Sequence, residues 1–246
     1  MGQTPEREKL YVRFSTSADI EAVRNFYQDN QHQFVFQREP AVVKERVEAG
    51  AVTIIEDSKG TIVASSISYP IVVKDGEGND SHRWTEIGST RIALEGAGVF
   101  KPLISAQVLR AFFLEPPEDR FVLEIVKTNG RSTDVFQKLG SLPFAVPEDL
   151  TKAVQKTIAP NSQGAEVTWY QLGPETISDL ARNIVSLMDN PVLKNKVTGQ
   201  EYDLDFSKCH LQTLFSAELR KLAGDVTLDE KPKPASIKGL KNKFGL

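Results

Sequence analysis

The chain has 246 residues, of which 40% are hydrophobic and 26% are charged, and a chain of this size and balance folds without a metal ion or disulfide bridges. Its single cysteine excludes an intrachain disulfide, its formal charge of −3 disfavours a nucleic-acid-binding surface, and no apolar run reaches the roughly 18 residues of a membrane span. Because the first residues also lack the apolar core of a secretory signal, we expect a cytoplasmic protein without a membrane partner.

The first half of the chain is predicted to contain strands and two short helices. Alternating side chains indicate strands, and apolar residues at a spacing of three or four indicate helices. In chain order these elements are a strand, two helices and three strands, at 11–15, 20–28, 40–50, 51–56, 61–73 and 83–94. Because short polar turns separate the last three strands, we expect them to form an antiparallel meander.

The second half is predicted to alternate helices and strands and then to become helical. The elements are a helix, a strand, a helix, a strand and two further helices, at 102–114, 121–126, 132–139, 166–172, 174–189 and 206–224. This order predicts an α/β (α+β) domain with a mixed sheet over residues 8–173. We expect a helical extension at 174–225 and a flexible, lysine-rich polar tail at 226–246.

A glycine-containing turn joins the predicted strand at 83–94 to the helix after it. Gly96 and Gly98 allow a ligand to approach the backbone closely, and the free N–H groups of a helix's first turn attract an anion. The turn therefore predicts a pyrophosphate site, although a tight strand-to-helix connection also requires glycine for geometric reasons. The glycine patterns of dinucleotide-binding and P-loop proteins are both absent.

Together with its surroundings, this turn resembles the GNAT superfamily of acyl-CoA-dependent N-acetyltransferases. The resemblance depends on the strand, glycine turn, long helix and apolar strand, and on Asn129 followed by VFQKLG at 135–140; it covers residues 11–172, about two thirds of the chain. It implies a splayed, mixed β-sheet flanked by helices. It also implies direct transfer of an acetyl or other acyl group from coenzyme A to a primary amine, within a ternary complex and without a metal. The acceptor would be a small molecule or a peptide.

The same resemblance implies where acetyl-CoA or another acyl-CoA would bind. The pyrophosphate would contact the glycine turn, the pantetheine would follow the strand before it, and an asparagine would hydrogen-bond the cofactor. These residues are Gly96, Ala97, Gly98, Val99 and Lys101 for the pyrophosphate, Ile92, Ala93 and Leu94 for the pantetheine, and Asn129. The family's Arg/Gln-x-x-Gly-x-Gly/Ala pattern fits in two registers, which place Ala93 or Glu95 at its first position.

Glutamates are the first candidates for proton transfer, because an attacking amine must lose a proton. Glu86 lies on the predicted strand 83–94, where some GNAT members have their general base; a glutamate on the surface is the alternative. Glu124 interrupts the apolar run FVLEIV, and a carboxyl in a buried strand must be paired or have a raised pKa. The alternatives are a structural ion pair with Arg91 or Lys127, or a position near the splay of the sheet where water reaches the carboxyl.

Phe136 stands where many GNAT members have a tyrosine that stabilises the leaving thiolate. Tyr170, on the predicted strand 166–172, is the candidate to replace it. The departures from the family pattern also fit a GNAT-fold protein that has lost catalysis and binds partners through its C-terminal helices. Those helices pack on the parent domain, form a homodimer interface or shape the acceptor site. The three histidines, His32, His82 and His210, lack the spacing of metal ligands, so the sequence predicts no metal site.

Overall fold

The computed structural model describes residues 7–74, 77–114, 120–160, 164–209 and 211–224. Nine strands are found in this part of the chain: β1 (Glu8–Phe14), β2 (Val52–Glu56), β3 (Ile62–Lys74), β4 (Asp80–Ile92), β5 (Arg120–Val126), β6 (Leu142–Pro143), β7 (Val167–Leu172), β8 (Val192–Lys194) and β9 (Glu201–Asp205). The α-helices are α1 (Ile20–Asp29), α2 (Pro40–Glu48), α3 (Phe100–Leu114), α4 (Gly130–Lys138), α5 (Glu148–Gln155), α6 (Pro174–Asp189) and α7 (Leu211–Gly224).

All nine strands belong to one sheet, in the order β6-β7-β5-β4-β3-β2-β1-β9-β8. The predicted meander is confirmed, because β2, β3 and β4 pair in antiparallel fashion with their sequence neighbours. Parallel pairing occurs between β4 and β5 and between β1 and β9. The sheet is therefore mixed, as the sequence predicts.

Helices cover both faces of this sheet. Helices α3 and α6 pack on one face, where α3 is almost entirely buried along its 15 residues. A polar contact fixes α3 against β2, since the side chain of Gln107 accepts a hydrogen bond from the Thr53 amide at 2.9 Å. Helices α1, α2 and α5 pack on the opposite face in two smaller apolar clusters. The result is three layers with the sheet in the middle.

The sheet splays between β4 and β5. Their parallel pairing is limited to three positions and ends where Glu86 lies opposite Val122. Just beyond, β4 contains a bulge at which Ser89 and Thr90 oppose a single residue of β3, and Ser89 has a left-handed backbone with φ of 47°. A bulge bends its strand and increases the local twist, and this bend lies where β4 leaves β5. The predicted splay is thus confirmed.

The segment after β7 is helical at both ends, as predicted, but it also contains a hairpin that the sequence interpretation missed. Strands β8 and β9 form this hairpin, and β9 extends the sheet by pairing with β1. Consequently α7 begins at Leu211 rather than at 206, and Cys209 precedes it as a fully buried residue. Side chains of α6 and β9 join the main core cluster. The division of the chain at residue 174 stays a prediction.

The remaining expectations concern the polar tail, a membrane span and a metal site. The polar tail predicted at 226–246 and His210 lie outside the described residues. In the part of the chain that is described, no helix is both long and apolar enough to cross a membrane. Within the same residues, no group of three or more His, Cys, Asp or Glu side chains is placed to hold a metal ion.

Candidate active site

Two carboxyls and one guanidinium meet in the gap between β4 and β5. Glu86 of β4, Glu124 of β5 and Arg38 of the loop 30–39 line a cavity of about 80 Å³, together with Asn129 and Phe136. We call Arg38, Glu86 and Glu124 the cavity cluster. One cation faces two acidic side chains here, so the cluster is unbalanced in charge if both carboxyls are ionised.

Glu86 is buried rather than exposed at the surface. One of its oxygens, Oε1, accepts a hydrogen bond from the Arg38 guanidinium, and both side chains are only 2% exposed. Gly88 leaves space for this contact, because a Cβ there would lie 2.7 Å from the same oxygen. The other oxygen of Glu86, Oε2, is buried and has no hydrogen-bond partner among the described residues. That oxygen is therefore available to accept a proton.

Glu124 has a carboxyl whose protonation state differs from that of an ordinary glutamate. Burial and, to a smaller extent, the negative charge of Glu86 raise its pKa, the Arg38 charge lowers it, and the net result is a pKa of about 8. Its Oε2 also lacks a hydrogen-bond partner in the described structure. Neither partner proposed from the sequence binds it, since Lys127 pairs with Glu166 at 3.2 Å and Arg91 donates to the backbone of Asn30. At neutral pH, Glu124 is mainly protonated.

Arg38 is the site residue that sequence reasoning missed. It lies two residues before α2, in a loop whose backbone bonds to the segment after α5: the Glu39 amide donates to Thr157, and the Ala159 amide donates to Gln37. Its guanidinium donates to the Thr157 hydroxyl and stacks on the Tyr69 ring, 4.5 Å from the ring centroid. Burial alone would lower the pKa of Arg38, but the neighbouring negative charges raise it. The cation is therefore permanent.

Ser89 forms a wall next to the cavity cluster. Its carbonyl accepts a 2.6 Å hydrogen bond from the Tyr27 hydroxyl, and its own hydroxyl lies 2.8 Å from that of Tyr69. A left-handed conformation is uncommon for serine and persists where the surroundings hold it. The two tyrosines supply that support, and they keep the β4 bulge in place.

Tyr170 lies apart from the two glutamates. It is 4% exposed and belongs to the core cluster under α3 and α6, whereas its neighbour Trp169 faces α5. Glu124 is directly opposite Trp169 in the sheet and so shares its face. Side chains of successive strand residues point to opposite faces. Tyr170 is therefore on the wrong face to reach the carboxyls, and it does not line their cavity.

Asn129 and Phe136 line the cavity, and α4 positions both of them. Asn129 is the N-cap of this helix: its side-chain oxygen accepts from the Ser132 amide at 3.2 Å, and its amide group donates to the Ser132 hydroxyl at 2.8 Å. Phe136 is 6% exposed and packs edge-on against Phe100, with 5.5 Å between ring centroids. The segment that carries the GNAT resemblance thus borders the cavity that contains both glutamates.

The glycine turn leaves its backbone amides free. Within the described residues, none of the amides in a continuous run donates a hydrogen bond: those of Gly96, Ala97, Gly98, Val99, Phe100 and Lys101. The backbone of Gly98 is left-handed with φ of 78°, and a Cβ placed on it would meet nothing within 4 Å. Gly96 is also left-handed, but its back is covered by Asn195 of the β8–β9 loop. The turn is therefore supported from behind and open at Gly98.

The strand before the turn keeps one edge free. Ala93 and Leu94 both donate their amides to Val63 of β3, at 2.8 and 3.3 Å. On the other side, the part of β4 between Glu86 and Ile92 makes no ladder with β5. An extended ligand can therefore pair with this edge of β4 and run from the open turn towards the cavity cluster.

Solved structures with a similar fold include several N-acetyltransferases. The N-acetyltransferase from Staphylococcus aureus Mu50 is 10% identical, and the similarity covers 66% of this chain and 96% of that one, with a TM-score of 0.46. The polyamine N acetyltransferase of Drosophila melanogaster is 13% identical, and the similarity covers 67% of this chain and 99% of that one, with a TM-score of 0.47. NAA60 of Arabidopsis thaliana in complex with acetyl-CoA is 10% identical, and the similarity covers 67% of this chain and 98% of that one, with a TM-score of 0.48.

The sequence itself has no significant relative in two other comparisons. No protein-family model matches it, and no curated protein is similar to it at a significant level. The fold is therefore identified from the strand order and from the splay after Glu86, and not from a sequence relative. The element order and the splayed mixed sheet of this chain are those that its resemblance to the GNAT superfamily implies.

Proposed function

We propose that this protein is an N-acyltransferase that moves an acetyl or other acyl group from coenzyme A to a primary amine of a small molecule or peptide. One observation supports the proposal above all others. The splay between β4 and β5 has a run of free backbone amides at its open end and, at its closed end, the buried carboxyl of Glu86 and the half-buried carboxyl of Glu124. The first feature suits an anionic ligand and the second suits proton transfer to and from the reacting groups.

The residues present fit a coenzyme A molecule. The amides from Gly96 to Lys101 would hold the pyrophosphate, because they are unpaired and lie at the N-terminus of a 15-residue helix. The free edge of β4 from Gly88 to Ile92 would pair with the pantetheine amides. Asn129 retains one amide hydrogen beyond its capping bond and can donate it to the cofactor. When bound, the coenzyme supplies the acyl group as a thioester.

The two glutamates have different surroundings, which separates their roles. Glu86 is the anionic partner of Arg38, and its free Oε2 accepts the proton that the amine loses as the new C–N bond forms. The raised pKa of Glu124 favours its protonated form, which would donate a proton to the sulfur as the C–S bond breaks. Neighbouring carboxyls whose pKa values are driven apart can serve as base and acid in one reaction. No role remains for Tyr170.

Binding of acetyl-CoA is the first test. At a ligand concentration of 100 times Kd, binding adds about 2.7 kcal/mol to the free energy of unfolding, which raises Tm by roughly 5–11 °C for a chain of this size. Thermal unfolding with increasing acetyl-CoA, followed by amine-dependent release of free thiol, measures both halves of the proposal. A Gly98→Asp variant is expected to weaken acetyl-CoA binding at least tenfold, because it places a negative charge at the open amides.

The matched control is Gly60→Asp. Gly60 is also left-handed, with φ of 82°, and a Cβ on it would meet nothing within 4 Å, yet it lies in the β2–β3 turn and does not line the cavity. Both variants introduce the same backbone strain, so only Gly98→Asp should weaken acetyl-CoA binding. If no acyl-CoA at millimolar concentration shifts Tm of the natural chain, the proposal is wrong. The fold would then serve as a binding module.

A further inference from the structure

A second and much larger cavity adjoins the cavity cluster. It has a volume of about 750 Å³ and lies between α1, α2 and the loop 30–39, within the size range of sites that bind small molecules. Arg38 and Ser89 line both cavities, and so do Val35 and Phe36. A ligand in the larger cavity can therefore extend a terminal group towards Glu86 and Glu124 across a shared wall.

The charged side chains that line this larger cavity are all basic. Among the described residues on its wall are Arg24 of α1, Arg38 of the loop and Lys44 of α2, and no aspartate or glutamate is among them. Amide side chains supply further polar contacts at Gln28, Gln31 and Gln33, and the remaining wall is largely apolar. Arg38 is already bound to Glu86. The charge available to a ligand therefore comes from Arg24 and Lys44.

These two cations have only weak partners. Arg24 pairs with Glu21 and Lys44 pairs with Glu48, both one turn away on the same helix. All four side chains are between 47% and 66% exposed, and exposed pairs of this kind contribute little to stability. An anionic ligand group that enters the cavity can displace Glu21 or Glu48 at little cost.

We propose that this cavity binds the acyl acceptor and selects primary amines that also carry an anionic group, a phosphate or a carboxylate. The inference rests on the proposed function, because it assigns the acceptor site of the same reaction. The amine would point towards Glu86, while the anion would contact Arg24 and Lys44. A polycationic amine is disfavoured, since the described wall offers it no carboxylate and two repelling cations.

Binding of matched amine pairs tests the charge selection. One pair is glucosamine 6-phosphate and glucosamine, the other is 6-aminohexanoate and hexylamine, and spermidine is the polycation. Each dissociation constant is measured with the full chain, alone and with coenzyme A, which carries no acyl group and so permits no turnover. We expect the anionic member of at least one pair to bind at least tenfold more tightly than its neutral partner. The two pairs show whether phosphate or carboxylate is preferred.

Charge reversal locates the effect. An Arg24→Glu/Lys44→Glu double variant is expected to lose at least tenfold in affinity for the preferred anionic amine and to bind spermidine more tightly. The control is Arg182→Glu/Lys152→Glu, because Arg182 pairs with Asp179 at i,i+3 and Lys152 pairs with Glu148 at i,i+4, both exposed and outside the cavity. This control should retain the affinity of the natural chain. Anionic amines should also still bind to Gly98→Asp, which excludes the glycine turn as their site.

Several results would overturn the inference. They are spermidine binding the natural chain more tightly than either anionic amine, no probe binding at all, or an anion preference that survives the double variant. Failure of the proposed function is separate, because it is decided by acetyl-CoA binding and thiol release. A chain that binds acetyl-CoA and acylates amines regardless of their charge keeps its function and contradicts only the charge selection.

Discussion

Two clusters of arginine and carboxyl groups lie on this sheet, and they have opposite chemistry. In the first, which we call the β1 cluster, Arg13 bridges Asp19 and Glu56, and Lys208 also binds Glu56. Two cations face two carboxylates, and each of the four carboxylate oxygens accepts a hydrogen bond. In the cavity cluster one cation faces two carboxyls, and two oxygens have no partner in the described structure.

The pKa values follow this difference. Burial alone would raise the pKa of Asp19 and of Glu56, but the hydrogen bonds from Arg13, from Lys208 and from the Thr16 amide lower both. In the cavity cluster burial prevails and raises the pKa of Glu124 to about 8. The same residue types thus build a structural ion-pair network when charges and hydrogen bonds balance. Where they do not balance, they leave a proton available for chemistry.

The largest expected effect comes from removing the base. Glu86→Gln keeps a hydrogen-bond acceptor for Arg38 but cannot take a proton, so turnover should fall by about 10²- to 10⁴-fold. The matched change in the β1 cluster, Glu56→Gln, should lower Tm and leave turnover close to that of the natural chain. Steady-state thiol release measures turnover, and acetyl-CoA binding is measured separately. Unchanged turnover of Glu86→Gln with acetyl-CoA binding intact would reject the assignment.

A smaller effect concerns stability as a function of pH. The pKa of Glu124 is about 8 in the folded chain and near 4.5 when unfolded, so the folded state holds an extra proton between these values. Stability therefore falls as pH rises from about 4.5 to 8. Glu124→Gln removes this loss. Relative to the natural chain, the free energy of unfolding of this variant should rise across that range and be higher by on the order of a few kcal/mol at pH 9.

Asp19→Asn should change stability in the opposite direction: it should lower the free energy of unfolding as pH rises. Because the folded pKa of Asp19 is lowered, its stabilisation is present above pH 4 and disappears as pH falls through the folded pKa. We expect Asp19→Asn to cost about 1–2 kcal/mol at pH 7 and little near pH 2. Thermal unfolding between pH 2 and 9 measures both variants. If both variants change stability relative to the natural chain in the same direction as pH rises, the contrast between the two clusters is wrong.

The sequence predicts the cavity cluster only in part. Glu124 is conspicuous because it interrupts an apolar run, and Glu86 lies on a strand that alternation identifies. Arg38 could not be found in this way, since it is 48 residues from Glu86 and reaches it only because the loop 30–39 bonds to the segment after α5. Local periodicity contains no information about such long-range contacts.

The same reason explains the other differences. The chemistry of Tyr170 makes it a candidate for catalysis, but the pairing of β7 with β5 determines its face, and it points into the core. The hairpin of β8 and β9 escaped prediction because each strand has five residues or fewer and few apolar positions. Its pairing with β1, at the far end of the chain, stabilises it. The glycine turn was found because its geometry is local.

The protonation state of Glu124 is the most direct test of this account, because it requires neither the acceptor nor turnover. The full chain is labelled with glutamate enriched in ¹³C at the side-chain carboxyl, and the carboxyl resonances are followed by NMR from pH 4 to 10. We expect one glutamate to titrate near pH 8 and its resonance to be missing from Glu124→Gln. If every glutamate instead titrates below about pH 6, near the ordinary value, both carboxyls are ionised at neutral pH. The division of the two glutamates into base and acid would then be wrong.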